Sequence, residues 1–258
     1  MSGKSQTEPA VADHRVVVFG IPDDPEQLRD LIAELAEVDR VTAGQLVRNL
    51  PGVLPQILTR NAAAGLATEI RRLGLTATSI PMADAPDLSH ARSTHHVRLS
   101  EQGFEVADAE DGAKSWPWSS VSLLSVGIVP STAPPHSHPA PTLASGSSHR
   151  LWNEGIRVPA RARPEALVVL NEDEHVYRIA SDAMNYEYLA QRLSTSSSIN
   201  FRQLVGDLVN YATDAWVTPS THAFLDRSPM SHYEFRSRDD FRRYTEFQTL
   251  RSRKFGHR

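Results

Sequence analysis

The sequence predicts an α+β protein: a small β-α-α-β-α-β domain at 15–81, then a β-rich domain at 95–226 with C-terminal helices. Two observations carry this. Before residue 81, short apolar runs alternate with stretches whose apolar residues recur at i, i+3, i+4, i+7, the spacing of one helix face. From His95 the texture changes to short runs bounded by turn residues, the mark of strands. A chain of 258 residues is long enough to bury a core in each domain.

The polar stretch 1–14 is read as a disordered N-terminus without the apolar core of a signal peptide. "RVVVFGI" is a short buried strand. In "DDPEQLRDLIAELA", Asp24 suits the N-cap, Pro25 the first turn and Gln27 the capping-box position. Leu28, Leu31, Ile32 and Leu35 give that helix one apolar face. A second helix is expected at "TAGQLVRNL", with Thr42 and Gln45 as its capping pair, ending before Pro51. "GVLPQIL" reads as an edge strand, because Pro55 removes a ladder donor. Thr59 caps "RNAAAGLATEIRRLG", Leu66, Ile70 and Leu73 form its stripe, and Gly74 ends it. "LTATSI" closes the domain as an alternating strand.

With these elements placed, "LVRNLPGVLPQILTRNAAAGLATEIRRLGLTATSI" resembles the C-terminal domain of the bacterial ribosomal stalk protein: a short helix, an apolar-Pro loop, a long Ala-rich helix and a final strand after Gly. The same fold occurs in the adaptor that delivers N-degron substrates to the Clp protease, and "VVVFGIPDD" resembles its opening strand and acidic turn. Both families dock proteins on helix faces, so the resemblance implies a protein-binding module. The stalk domain's lysines are missing here, where Arg40, Gly44 and Arg48 stand, and the adaptor's Asn is Pro22. Neither family's partner carries over. The candidate partner-binding residues of this domain are Arg40, Arg48, Arg71 and Arg72.

Residues 82–94 read as a linker. "HHVRL" and "GFEVADA" are strand-like, Asp111-Gly112 marks a turn, and "SSVSLLSVGIVP" is a strand ended by Pro130. "EALVVL" and "HVYRIA" make a hairpin around residues 171–174, and "DAMNYEYLAQRLS" reads as a helix. This order, with its Trp-Pro-Trp segment, resembles the pleckstrin-homology-like domains of bacteria, which implies binding rather than catalysis. Residues 131–150 carry one charged and one large apolar residue, so they are read as a disordered insertion. "SSSINFRQLVGDLVNYA" is an amphipathic helix with Ile199, Leu204, Val205 and Leu208 on one side, and "WVTPSTHAFLD" caps the domain.

Little of the remaining sequence looks like chemistry. The absence of cysteine excludes disulfides, thiol nucleophiles and Cys-ligated metals. His90, His95 and His96 are spaced wrongly for one helix face, and the adjacent pair at a strand start points to opposite sides, so no metal site is expected. His136 and His138 lie in the insertion and could chelate only loosely. Trp116 and Trp118 could stack a ligand but read better as core anchors. Asp23-Asp24 and Asp239-Asp240 suit helix N-termini. No phosphate loop, dinucleotide fingerprint or serine elbow is present, and no cofactor is expected.

The charge is uneven. Residues 227–258 hold nine Lys+Arg against four Asp+Glu, or +5, leaving −9 on the rest of a chain of net charge −4. This basic aromatic tail predicts a helix from Ser237, with Phe241, Tyr244, Phe247 and Leu250 recurring every three residues among arginines. Arg238, Phe241, Arg242, Arg243, Tyr244 and Phe247 are its candidate contacts, unless the aromatics pack on the acidic body. The expectation is a cytoplasmic protein with no transmembrane segment, acting as a non-enzymatic protein-interaction or regulatory module. The alternative is RNA or ribosome association through the tail. An enzyme would need a pocket converging on His96, Trp116 or Trp118.

Overall fold

A computed structural model describes residues 12–108, 112–130, 162–171 and 175–256. The chain is α+β, as the sequence predicts, and its described residues fall into two compact units. One takes residues up to His90 together with those from Arg242 onward. The other spans Ala91–Phe241. The expected insertion at 131–150 and the hairpin tip at 172–174 lie outside the described residues.

In the first unit β1 (Ala12–Val18) is central. It starts inside the stretch expected to be disordered, with His14 paired to Pro81. Its alternation sends Val16 and Val18 to one face and Val17 to the other. Helix α1 (Pro25–Leu35) begins as expected, the Asp24 carboxylate accepting from the Glu26 and Gln27 amides at 3.0 and 3.1 Å. Helix α2 (Arg40–Arg48) starts two residues before the expected Thr42. Its cap is Asp39, which accepts from the Val41 and Thr42 amides and from the Thr42 hydroxyl. A carboxylate with three donors outcompetes a Thr/Gln box.

The expected strand at 52–58 is two fragments, β2 (Gly52–Val53) and β3 (Leu58–Thr59). Both pair with β1, and Pro55 sits in the gap between them. Thr59 caps α3 (Arg60–Arg72) through a bond from the Ala62 amide, and Gly74, at φ +82°, follows its end. β4 (Ala77–Pro81) pairs antiparallel with the opposite edge of β1. Leu28, Ile32, Ala43, Val47, Leu66 and Ile70 from the three helices close over Val16 and Val18.

The second unit is built on a mixed sheet. The stretch read as a linker contains a 3-10 turn at Met82–Asp84 and β5 (Arg92–Thr94), which pairs parallel with a strand described below. The chain then turns a corner at His95-His96 into an antiparallel three-stranded meander: β6 (Val97–Ser100), β7 (Gly103–Asp108) and β8 (Gly112–Pro117). β9 (Val121–Pro130), β10 (Ala162–Leu170) and β11 (Val176–Ala180) are consecutive antiparallel neighbours, with β5 beside β11.

The helix expected at 182–194 is instead an extended segment and a 3-10 turn at Glu187–Arg192. Met184 and Tyr186 are buried on either side of Asn185, whose amide donates to the His95 carbonyl at 2.7 Å, so that stretch is anchored as a strand would be. Helix α4 (Ser197–Tyr211) covers one face of the sheet with Phe201, Leu204, Val205 and Leu208. Ile199, expected on that stripe, is 49% exposed, because two residues before Phe201 a helix turns away from the core. β12 (Trp216–Val217) extends the β9 edge. In α5 (Pro219–Leu225) the Thr221 hydroxyl accepts from the Val126 amide and donates to the Leu124 carbonyl.

The tail is helical as expected, as α6 (Arg238–Phe255). In the first unit its buried side is Phe247 and Leu250, set against Val17, Phe19, Val53 and Ile80 on the sheet face opposite α1–α3. Phe19 meets Phe247 at 5.7 Å between ring centroids and Phe255 edge-on at 5.2 Å. The first unit is therefore a sheet between two helical layers.

Candidate functional site

The ten residues expected to contact partners do not gather in one place. In the first unit, Arg40 and Arg48 stand on α2 and Arg71 and Arg72 end α3, on one side of the sheet, while residues from Arg242 onward lie on the other. Arg40 reaches Asp30 at 3.0 Å with its side chain 71% exposed, a pair worth little in solvent. Arg71 donates to the Thr68 hydroxyl and Arg72 to Glu69, each within α3. On α2 the exposed residues Val41, Gln45 and Arg48 follow i, i+4, i+7, so one outward stripe pairs an aliphatic side chain with a cation.

On α6 the expected contacts divide by chemistry. Phe241 and Phe247 are 1% and 3% exposed. They are packing residues, which corrects their reading as partner contacts: an aromatic stripe every three residues buried a helix face. Arg242 lies 3.6 Å from Glu246, Tyr244 is half-buried and Arg243 is exposed.

The expected histidine and tryptophan roles meet the geometry as follows. The His95 and His96 carbonyls accept from the Asn185 and Ala107 amides, and His90 is exposed beside Asp87 at 3.5 Å. Among the described residues no three His, Cys, Asp or Glu side chains converge to hold a metal ion. Trp116 donates to the Tyr177 hydroxyl at 3.0 Å. Trp118 donates to the Ser100 carbonyl at 2.8 Å and stacks on Tyr211 at 5.2 Å. Both indoles anchor the edge of the core. His136 and His138 lie outside the described residues.

Known proteins offer no guide. The chain matches no family model, no curated protein and no solved structure. Nor, among the described residues, is any helix long and apolar enough to cross a membrane.

The densest set of charges lies in the second unit, on the sheet face turned away from α4. Alternation along β10 puts Arg163 and Glu165 on that face, and the register places Arg178 of β11 diagonally beside Glu165. Glu165 is fully buried. Its carboxylate accepts from Arg163 Nε at 3.0 Å and from Arg238 through Nε and a terminal nitrogen at 3.1 and 2.8 Å. One terminal nitrogen of Arg163 also donates to both oxygens of Asp182 at 2.9 Å. Burial opposes the charge on Arg163, but Asp182 and Glu165 outweigh it and hold its pKa above the ordinary value.

Of this set the sequence points to Arg238 alone. The missed signal is Glu165 itself, a carboxylate heading an apolar run in which every other residue is buried. Such a residue demands a cation.

Proposed function

We propose that this chain is a non-enzymatic protein-interaction or regulatory module that meets its partner through α2. The observation behind this reading is Val41, 70% exposed on the stripe that ends in Arg48. An aliphatic centre bordered by guanidinium groups suits a protein contact, where the apolar atoms lose water and the charges select the partner. We take the sequence resemblance to the stalk and adaptor domains, both of which dock proteins on helices, as part of the same proposal.

RNA or ribosome association through α6 is the second reading. It keeps its cations, since Arg243, Arg253 and Lys254 are exposed. It loses two of its stacking groups, because Phe241 and Phe247 are buried, and stacking supplies much of the strength of single-strand binding. A cytoplasmic location belongs to the proposal, and cell fractionation checks it.

A photo-crosslinking residue at position 41 of the full chain is expected to give a discrete protein adduct in native lysate. Arg48→Glu should reduce that adduct severalfold, and a crosslinker at position 243 should not give it. An RNA adduct at 243 that fades as salt rises, with none at 41, selects the second reading instead. Silence at both positions overturns both.

A further inference from the structure

We propose that Arg178 and Ser93, backed by Arg163 and Arg238, form a binding site for a tetrahedral oxyanion of the phosphate type. The site belongs to the second unit and is independent of the α2 reading.

The argument is one of unmatched charge. Three guanidinium groups, Arg163, Arg178 and Arg238, share one face of the sheet with two carboxylates, Glu165 and Asp182. Glu165 is neutralised by Arg163 and Arg238, and Asp182 by Arg163. The surplus positive charge falls on Arg178. Its hydrogen bonds run from Nε, at 3.2 Å, and from a terminal nitrogen to one neutral acceptor, the Ser93 hydroxyl on the parallel neighbour β5. A guanidinium carries five donors, and two of them converge here on a single oxygen.

Its surroundings make the shortfall costly. Burial pulls the Arg178 pKa below its ordinary value; Arg238 and Arg163 push it the same way, with Glu165 opposing. A half-buried, still-charged guanidinium beside two others gains most from an acceptor carrying negative charge and several oxygens. Ser93 is exposed, so the fork is reachable from solvent, and its hydroxyl can turn from acceptor to donor once an oxyanion is present. The charge of an arriving phosphate is met by Arg178, while Glu165 is screened behind its own two cations.

Isothermal titration of the full chain with inorganic phosphate, at constant ionic strength against chloride, tests this. The parent chain is expected to bind phosphate and to unfold at a higher temperature in its presence. Arg178→Gln should weaken binding roughly 10- to 100-fold, the loss of a charge-assisted fork. Arg98→Gln, exposed on β6 of the same unit, should leave it unchanged and so controls for general basicity. If Arg178→Gln does not fold, Arg178→Lys decides: a point charge without the fork must still bind more weakly. Equal affinity in Arg178→Lys and the parent, or no binding by the parent beyond that of chloride, overturns the proposal.

Discussion

A backbone carbonyl decides what position 103 can hold. Gly103 pairs with Pro117 across β7 and β8, and a Cβ there would lie 2.1 Å from the Trp116 carbonyl oxygen. Backbone in a ladder cannot retreat as a side chain does, so Gly103→Ala is expected to cost about 3 kcal/mol, the upper end of ordinary overpacking. Gly65 is its counterpart: a Cβ meets nothing within 4 Å inside α3. Gly65→Ala should gain about 0.5–1 kcal/mol. Urea midpoints that move in opposite directions confirm the pair, and two equal shifts refute it. A second residue sets a pH dependence. Burial raises the Glu246 carboxyl; Arg242 and the Leu88 amide resist, and Asp87 adds to the rise. The folded state therefore favours the protonated acid. Its stabilising contribution is complete below the ordinary carboxylate value and is lost as pH climbs through the raised one. Glu246→Gln keeps an acceptor for Leu88 and removes the charge. Its stability relative to the parent should improve as pH rises above the ordinary carboxylate value, and a difference that stays constant with pH rejects the account.

At the scale of elements, α2 gives the sharpest test because its start was displaced from the expected residue. Asp39 holds three donors, and those bonds pull its carboxyl below the usual range, the Thr42 hydroxyl most of all. Asp39→Ala is expected to lower the melting temperature, whereas Gln45→Ala, which removes the supposed box partner, should not. The reverse result would restore the Thr42 start. The same case shows what the sequence makes legible. Caps at Asp24 and Thr59 and the stop at Gly74 are decided within four residues, and they were readable. So was the helical spacing of the tail. The split of 52–58 into two fragments was not, because it depends on which residues β1 presents opposite. The extended run at 184–186 depends on a backbone bond to His95, about ninety positions away. The pairing in the Glu165 cluster is hidden for the same reason: Arg238 stands out in the sequence, but the carboxylate it meets is 73 residues away, and no local pattern predicts that partner.

For the whole molecule, the decisive fact is that residues far apart in sequence complete one unit. Val17, Phe19, Val53 and Ile80 form a sheet face whose cover, Phe247 and Leu250, comes from the far end of the chain. A fragment of residues 1–90, or a chain ending at Phe241, therefore leaves that face in water. Each of the two covering side chains stabilises by roughly 1.5–3 kcal/mol when buried. Their joint loss, about 3–6 kcal/mol, rivals the entire stability of an ordinary small domain. The chain ending at Phe241 should lose hydrogen-exchange protection in β1 and β4 and bind an apolar dye. Amides of β9 and β10 should keep their protection, because Phe235 and Phe241, which pack over Gly127, remain. A peptide of residues 238–256 added in trans should restore part of the β1 protection, and a variant peptide with Phe247→Ser and Leu250→Ser should not. If β1 stays protected after truncation, the covering helix contributes no stability and the aromatic spacing of the tail must be explained by an external contact after all.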